Sequence, residues 1–150
     1  MIVFPQTYAP ATYRKTANQT WNNDTALANV TDLVAPVVAN GTYLVMFCLF
    51  YTSSTVADFK VDFAIPAGAS GSHGGSSYGT GSAFQQLGNI GWATAYALGG
   101  LGAFDLSFVS MGVLVVSSTA GNLQLRAAQN TAEVSVTTLY ANSTLVLWRF

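Results

Sequence analysis

The stretch Asn122 to Phe150, NLQLRAAQNTAEVSVTTLYANSTLVLWRF, decides the fold class. Leu123, Leu125 and Ala127 alternate with Asn122, Gln124 and Arg126, and Val134 and Val136 alternate with Glu133, Ser135 and Thr137. After a turn at Tyr140-Ala141-Asn142-Ser143 the chain ends on Thr144-Leu145-Val146-Leu147-Trp148-Arg149-Phe150. Alternation with period two marks half-buried strands, so the stretch reads as three strands separated by turns. The last of them is apolar on both faces. Chain ends usually fray into solvent, so an end bearing Trp148 and Phe150 without a polar face needs burial. It is either a central strand or a strand laid against another copy of the chain.

The same pattern extends upstream. Asp32 to Val38 reads as a strand whose Pro36 places it at a sheet edge or a bend. Asn40-Gly41 is a turn signal, and Thr42 to Tyr51 (TYLVMFCLFY) follows as the longest apolar run, read as buried on both faces. Asp58 to Ile65 alternates, with Phe59, Val61, Phe63 and Ile65 on one side and Lys60 and Asp62 on the other. Pro66 to Ser82 reads as a Gly/Ser loop. Phe84 to Tyr96 holds one or two short strands, Asp105 to Val116 another, and Ser117 to Gly121 a hairpin turn. No segment keeps a helical period. About eight strands with turns between them predict an all-β protein, a jelly-roll β-sandwich with two packed sheets. Residues 1–20 read as an extended N-terminal arm and residues 21–150 as a single domain.

Composition narrows the function classes. Charged residues make up 7% of the chain and hydrophobic ones 51%, whereas about a quarter of an ordinary soluble domain is charged. So few charges predict a surface of Ser, Thr, Asn and Gly, with much of the rest covered by partners. The basic residues Arg14, Lys15, Lys60, Arg126 and Arg149 form no stripe, which argues against nucleic acid as a partner. Cys48 lies in an apolar run and reads as a buried free thiol. The N-terminus lacks the basic region and long apolar core of a signal peptide. Phe84 to Phe104 is long enough to span a bilayer, but Gln85, Gln86, Asn89 and its glycines suit strands and loops, so no membrane span is expected.

Candidate chemistry is sparse. His73, the single histidine, reads as a solvated loop residue, with no acidic residue or cysteine near it to complete a metal site. The Gly/Ser segment lacks the Gly-Lys-Ser/Thr of a phosphate cradle, and nothing places a serine on a nucleophile elbow. Asp58 and Asp62 share a strand face with Lys60 between them and read as a solvated charge ladder rather than an acid–base pair. Asn-x-Thr triplets at Asn18, Asn23, Asn29, Asn40 and Asn142 read as turn chemistry. The expectation is a non-enzymatic protein with no cofactor and no bound metal.

The order of several short motifs resembles a family of small structural domains of tailed bacteriophages, found as capsid decoration proteins and at the ends of tail-fibre-type proteins. The motifs are Tyr13-Arg14-Lys15-Thr16-Ala17, Trp21-Asn22-Asn23-Asp24-Thr25, Asp32-Leu33, an Asn-Gly-Thr-Tyr turn, Asp58-Phe59-Lys60-Val61 and Ile65-Pro66-Ala67-Gly68. Leu123 to Asn130 and Ser143 to Leu147 close the series. The resemblance covers most of Tyr13 to Phe150, and the sequence departs from it between Gly68 and Gly102. It implies a jelly roll of the tumour-necrosis-factor/C1q type, assembled as a trimer and without catalysis.

Together these readings predict a capsid decoration (cement) protein. It would bind the outer surface of a phage shell as homotrimers and stabilise contacts between major capsid proteins. The alternative is the receptor-binding tip of a tail fibre, with a host glycan or protein as partner. The arm residues Ile2, Val3, Phe4, Tyr8 and Tyr13 are the expected capsid or inter-subunit contacts. Leu145, Leu147, Trp148 and Phe150 are the expected trimer interface.

Overall fold

The computed structural model describes residues 9–150. Two antiparallel sheets pack into a β-sandwich, with no helix among the described residues. The larger sheet runs in the order β1 (Ala11–Arg14), β12 (Thr144–Arg149), β4 (Thr42–Thr52), β9 (Leu106–Val115), β6 (Ser70–Tyr78), β7 (Phe84–Gly91). The pair β2 (Gln19–Trp21) and β11 (Thr137–Leu139) joins it through β4. The smaller sheet runs β3 (Ala28–Val37), β10 (Gly121–Gln129), β5 (Phe59–Ala64), β8 (Tyr96–Leu98).

Setting aside β2, β6, β7 and β11 leaves eight strands. In chain order they pair first-eighth-third-sixth in one sheet and second-seventh-fourth-fifth in the other. That is the jelly-roll order, in which successive strands cross between sheets and close one core. The hairpin β6–β7 is inserted between the fourth and fifth of these strands and widens the larger sheet. Ala11–Arg14 already pairs with Leu147–Thr144, so among the described residues the sandwich begins at Ala11, within the segment expected as an arm.

The core lies between the sheets. Tyr43, Val45, Phe47, Leu49 and Tyr51 of β4 face Phe59, Val61 and Phe63 of β5 and Leu123, Leu125 and Ala127 of β10. Fully burying one such side chain stabilises by roughly 1.5–3 kcal/mol. Pro36 falls in β3, whose other edge has no ladder to break. Asn40 takes the left-handed turn conformation at φ 57°.

Four local expectations are corrected. The Pro66–Ser82 segment is not a loop, because Ser70–Tyr78 forms β6, paired on both sides by β7 and β9. Its glycines are needed for close approach. A Cβ on Gly75 would lie 2.2 Å from the Val109 carbonyl oxygen, and one on Gly112 across the ladder 2.2 Å from that of Ser72. Ser117–Gly121 is a crossover between sheets rather than a hairpin turn, since β9 and β10 belong to different sheets. The Glu133–Val136 alternation does not make a strand; β11 begins only at Thr137, and Val134 stands 78% exposed. Finally, β4 is buried on one face only, with Phe50 40% exposed on the other.

Replacing Gly112 by Ala should therefore cost about 1–3 kcal/mol of overpacking strain, read as a lower urea midpoint. An unchanged midpoint would contradict the tight β6–β9 ladder.

Candidate functional site

The strands of the larger sheet carry a second apolar face, turned away from the core. On β9, Val109, Met111, Val113 and Val115 point outward, and Met111 is 55% exposed. On β4 the outward side chains are Leu44, Met46, Cys48 and Phe50, and on β12 they are Val146 and Trp148. Ladder register sets them in rows: Val146–Met46–Met111 and Trp148–Leu44–Val113, with Thr144–Cys48–Val109 beside them. No outward position of β4, β9 or β12 is charged. Strand spacing of about 4.8 Å and a rise of about 3.4 Å per residue give this three-strand face roughly 400 Å².

Its borders differ in character. Ser72, Gly74 and Ser76 of β6 continue the rows on one side with small uncharged groups. On the other side Thr12 and Arg14 of β1 lie beside Val146 and Thr144. Arg14 donates from Nη1 to Asn142 Oδ1 at 2.6 Å, leaving a polar margin there. Contiguous apolar patches of several hundred Å² on soluble proteins usually mark an interaction site.

The residues expected at a trimer interface are split by this geometry. Leu145 and Leu147 are 1% and 3% exposed and close the core of this chain itself. Trp148 is half-buried on the outward face, and Phe150 is 71% exposed, its N–H donating to the Thr42 carbonyl at 3.1 Å. Of the expected arm contacts, Tyr13 is half-buried against the core from β1. Ile2, Val3, Phe4 and Tyr8 lie outside the described residues. The outward residues of β4 were missed in the sequence because a run apolar on both faces reads as buried on both, and those of β9 because that segment was read only as a further strand.

The ionisable residues singled out from the sequence are mostly interior, a correction: His73 and Asp62 sit on strands paired on both sides, and Asp58 lies in the turn just before β5. His73 is 2% exposed on β6, ringed by Phe47, Phe63, Trp92 and Tyr96. None of these rings is charged, and burial pulls the imidazole down to about 4. Asp62 is buried, not a rung of a solvated ladder; Arg126 holds it by two bonds, Nε–Oδ1 at 2.9 Å and Nη2–Oδ2 at 2.5 Å. Asp58 is buried as well and accepts from the Gly100 N–H at 2.8 Å, while desolvation raises its pKa. The two aspartates thus serve separate contacts.

Gly75-Ser76-Ser77-Tyr78-Gly79 has a G-x-S-x-G spacing that the sequence reading overlooked, but Ser77 sits within β6, buried and bonded to the Tyr51 hydroxyl at 3.1 Å. A nucleophile elbow needs a sharp strand-to-helix turn with an exposed hydroxyl. Among the described residues no three His, Cys, Asp or Glu side chains gather into a metal-ligating group. All five Asn-x-Thr asparagines are exposed. Asn23, Asn40 and Asn142 take φ of 50°, 57° and 72°, and the Asn18 side chain accepts from the Ala141 N–H.

Beside the outward face, a shallow cleft of about 350 Å³ opens between β6, β7 and β9, lined by Tyr78, Phe84, Asp105 and Ser107. Phe84 is largely in solvent there. No helix among the described residues is long and apolar enough to cross a membrane.

No protein-family model and no curated protein matches the sequence. Among solved structures, the infectious bursal disease virus VP2 subviral particle aligns over 99% of this chain and 43% of its own, at 13% identity and a TM-score of 0.30. The infectious bursal disease virus Gx strain structure aligns over 99% and 44%, at 10% identity and a TM-score of 0.31. The chain spans less than half the length of either. Superpositions this loose bear on neither function nor lineage.

The buried imidazole generates a pH prediction. Above pH 6.5, the ordinary value, His73 is neutral whether the chain is folded or unfolded; between 6.5 and about 4 only the unfolded chain takes up the proton. Stability should fall across that window by about 2–3 kcal/mol more in the parent protein than in His73→Leu. Urea midpoints that track each other over this range would contradict a neutral, buried imidazole.

Proposed function

We propose that this chain is a non-enzymatic virion structural protein, a capsid decoration (cement) protein that binds the outer surface of a phage shell as homotrimers. The observation that carries the reading is the charge-free outward face of β12, β4 and β9. A stable interface buries about 800 Å² on each partner, roughly twice the area of the three-strand core of that face. In a closed trimer the remaining area comes from surface beyond that three-strand core, its Ser/Gly border included. The jelly-roll order and the phage-like series of short motifs support the same reading. Its mechanism is mechanical. Buried surface shared between this trimer and the major capsid proteins opposes separation of the capsomers.

Leu145 and Leu147 then act indirectly by holding β12 in the sheet, while Trp148 and Phe150 meet the neighbouring copies. The apolar N-terminal residues Ile2, Val3 and Phe4 are the proposed capsid contact. The alternative, a receptor-binding tip of a tail fibre, draws on the cleft beside Phe84 and Asp105. An exposed aromatic ring next to a carboxylate suits stacking and hydrogen bonding to a glycan.

Cys48, the single cysteine, sits in the middle of the outward face and reports on its coverage. Alkylation of Cys48 should be at least about tenfold faster in Met111→Asp than in the parent protein, because one buried charge is enough to open such a contact. Equal rates would argue against coverage of this face. Removing residues 1–9 leaves every described strand in place, and should abolish binding to expanded shells without lowering the melting temperature. Retained shell binding would remove the arm from the account.

A further inference from the structure

Two buried side-chain polar atoms among the described residues have no hydrogen-bond partner, His73 Nε2 and Tyr96 Oη. They belong to rings in contact, with centroids 5.5 Å apart. His73 lies on β6 of the larger sheet and Tyr96 on β8 of the smaller, so this ring contact joins the two sheets across the core.

The protonation pattern follows from the neighbouring bonds. The Ser110 hydroxyl spends its single proton on the Gly74 carbonyl, at 2.8 Å. His73 Nδ1 lies 2.9 Å from the same hydroxyl oxygen. Ser110 therefore accepts there, and Nδ1 carries the hydrogen. Nε2 is left as a bare acceptor, and the Tyr96 hydroxyl is a donor without an acceptor. Phe47, Phe63 and Trp92 pack on the imidazole and Phe108 on Tyr96, and neither Nε2 nor the Tyr96 hydroxyl has a hydrogen-bond partner. Asp62, whose charge acts on Tyr96, is itself held by Arg126. Leaving a buried donor and a buried acceptor both unpaired is costly, and one bridging water satisfies both at once.

We propose that His73 Nε2 and the Tyr96 hydroxyl bind one internal water molecule, completing a polar tie from Gly74 through Ser110 and His73 to Tyr96 that joins the two sheets. The water accepts from Tyr96 and donates to Nε2, two partners being the least that holds an interior water. The tie also fixes the imidazole as the Nδ1–H tautomer. Ser110 and Tyr96 are positioning residues for a ring that otherwise sees only aromatic neighbours.

With one histidine in the chain, the imidazole nitrogens can be read without ambiguity from the ¹⁵N-labelled full-length protein. At neutral pH the expected spectrum is that of the Nδ1–H tautomer, with a rotating-frame Overhauser peak between the His73 ring protons and a long-lived water. In Tyr96→Phe that water peak should vanish and the Nε2 resonance should shift toward that of a free acceptor, with the tautomer kept. In Ser110→Ala the tautomer should move toward Nε2–H. An Nε2–H tautomer in the parent protein, the absence of the water peak, or a water peak untouched by Tyr96→Phe would overturn the proposal. If Tyr96→Phe does not fold, the parent spectrum and Ser110→Ala still decide it.

Discussion

The larger sheet has apolar side chains on both faces, while the described residues supply a second sheet for only one of them. Everything else about the molecule is arranged around that imbalance. The inner face, from Tyr43 to Tyr51 on β4 and from Leu106 to Leu114 on β9, packs on the smaller sheet and makes the core. The outer face repeats the same strands one residue out of phase, with Leu44, Met46 and Cys48 beside Val109, Met111 and Val113. In an antiparallel sheet of a solitary domain those positions are normally polar. Their apolar character, in a chain with 7% charged residues, is the feature on which the proposed assembly rests.

The interior is not purely hydrophobic, and its polar groups are placed with the same economy. Arg126 and Asp62 pair across adjacent strands β10 and β5, with both carboxylate oxygens occupied. Lys15 is buried but donates to Gln19 and Thr31, and Ser53 pairs with Thr137 at 2.7 Å. Buried pairs of this kind add little net stability over apolar packing, yet losing one partner is expensive. His73 and Tyr96 belong to the same class, set where β6 and β8 oppose each other.

Much of the fold was legible because period-two alternation is a direct record of a sheet with one covered face. Leu123, Leu125 and Ala127 on β10 and Phe59, Val61 and Phe63 on β5 are buried as the alternation requires. The reading failed where chemistry and geometry part company. Ser70–Tyr78 has a loop's composition, but the β6–β9 approach excludes side chains at Gly75 and Gly112, so a strand there must be glycine-rich. His73 inherited that error, since a residue on a presumed loop is presumed solvated. Val134 and Val136 alternate but have no partner strand, which no local pattern records. The outward face was half legible. The sequence showed strands without a polar side, but which of two apolar sides meets the core is set by packing of the larger sheet on β5 and β10 of the smaller, contacts distant in the chain.

The central claim is that the outward face of β4, β9 and β12 is covered by further copies of this chain. Sedimentation equilibrium of the full-length protein over a wide concentration range tests it most directly. A single species at three times the 15.7 kDa chain mass, persisting on dilution to the micromolar range, is the result predicted. A monomer at every concentration would contradict it.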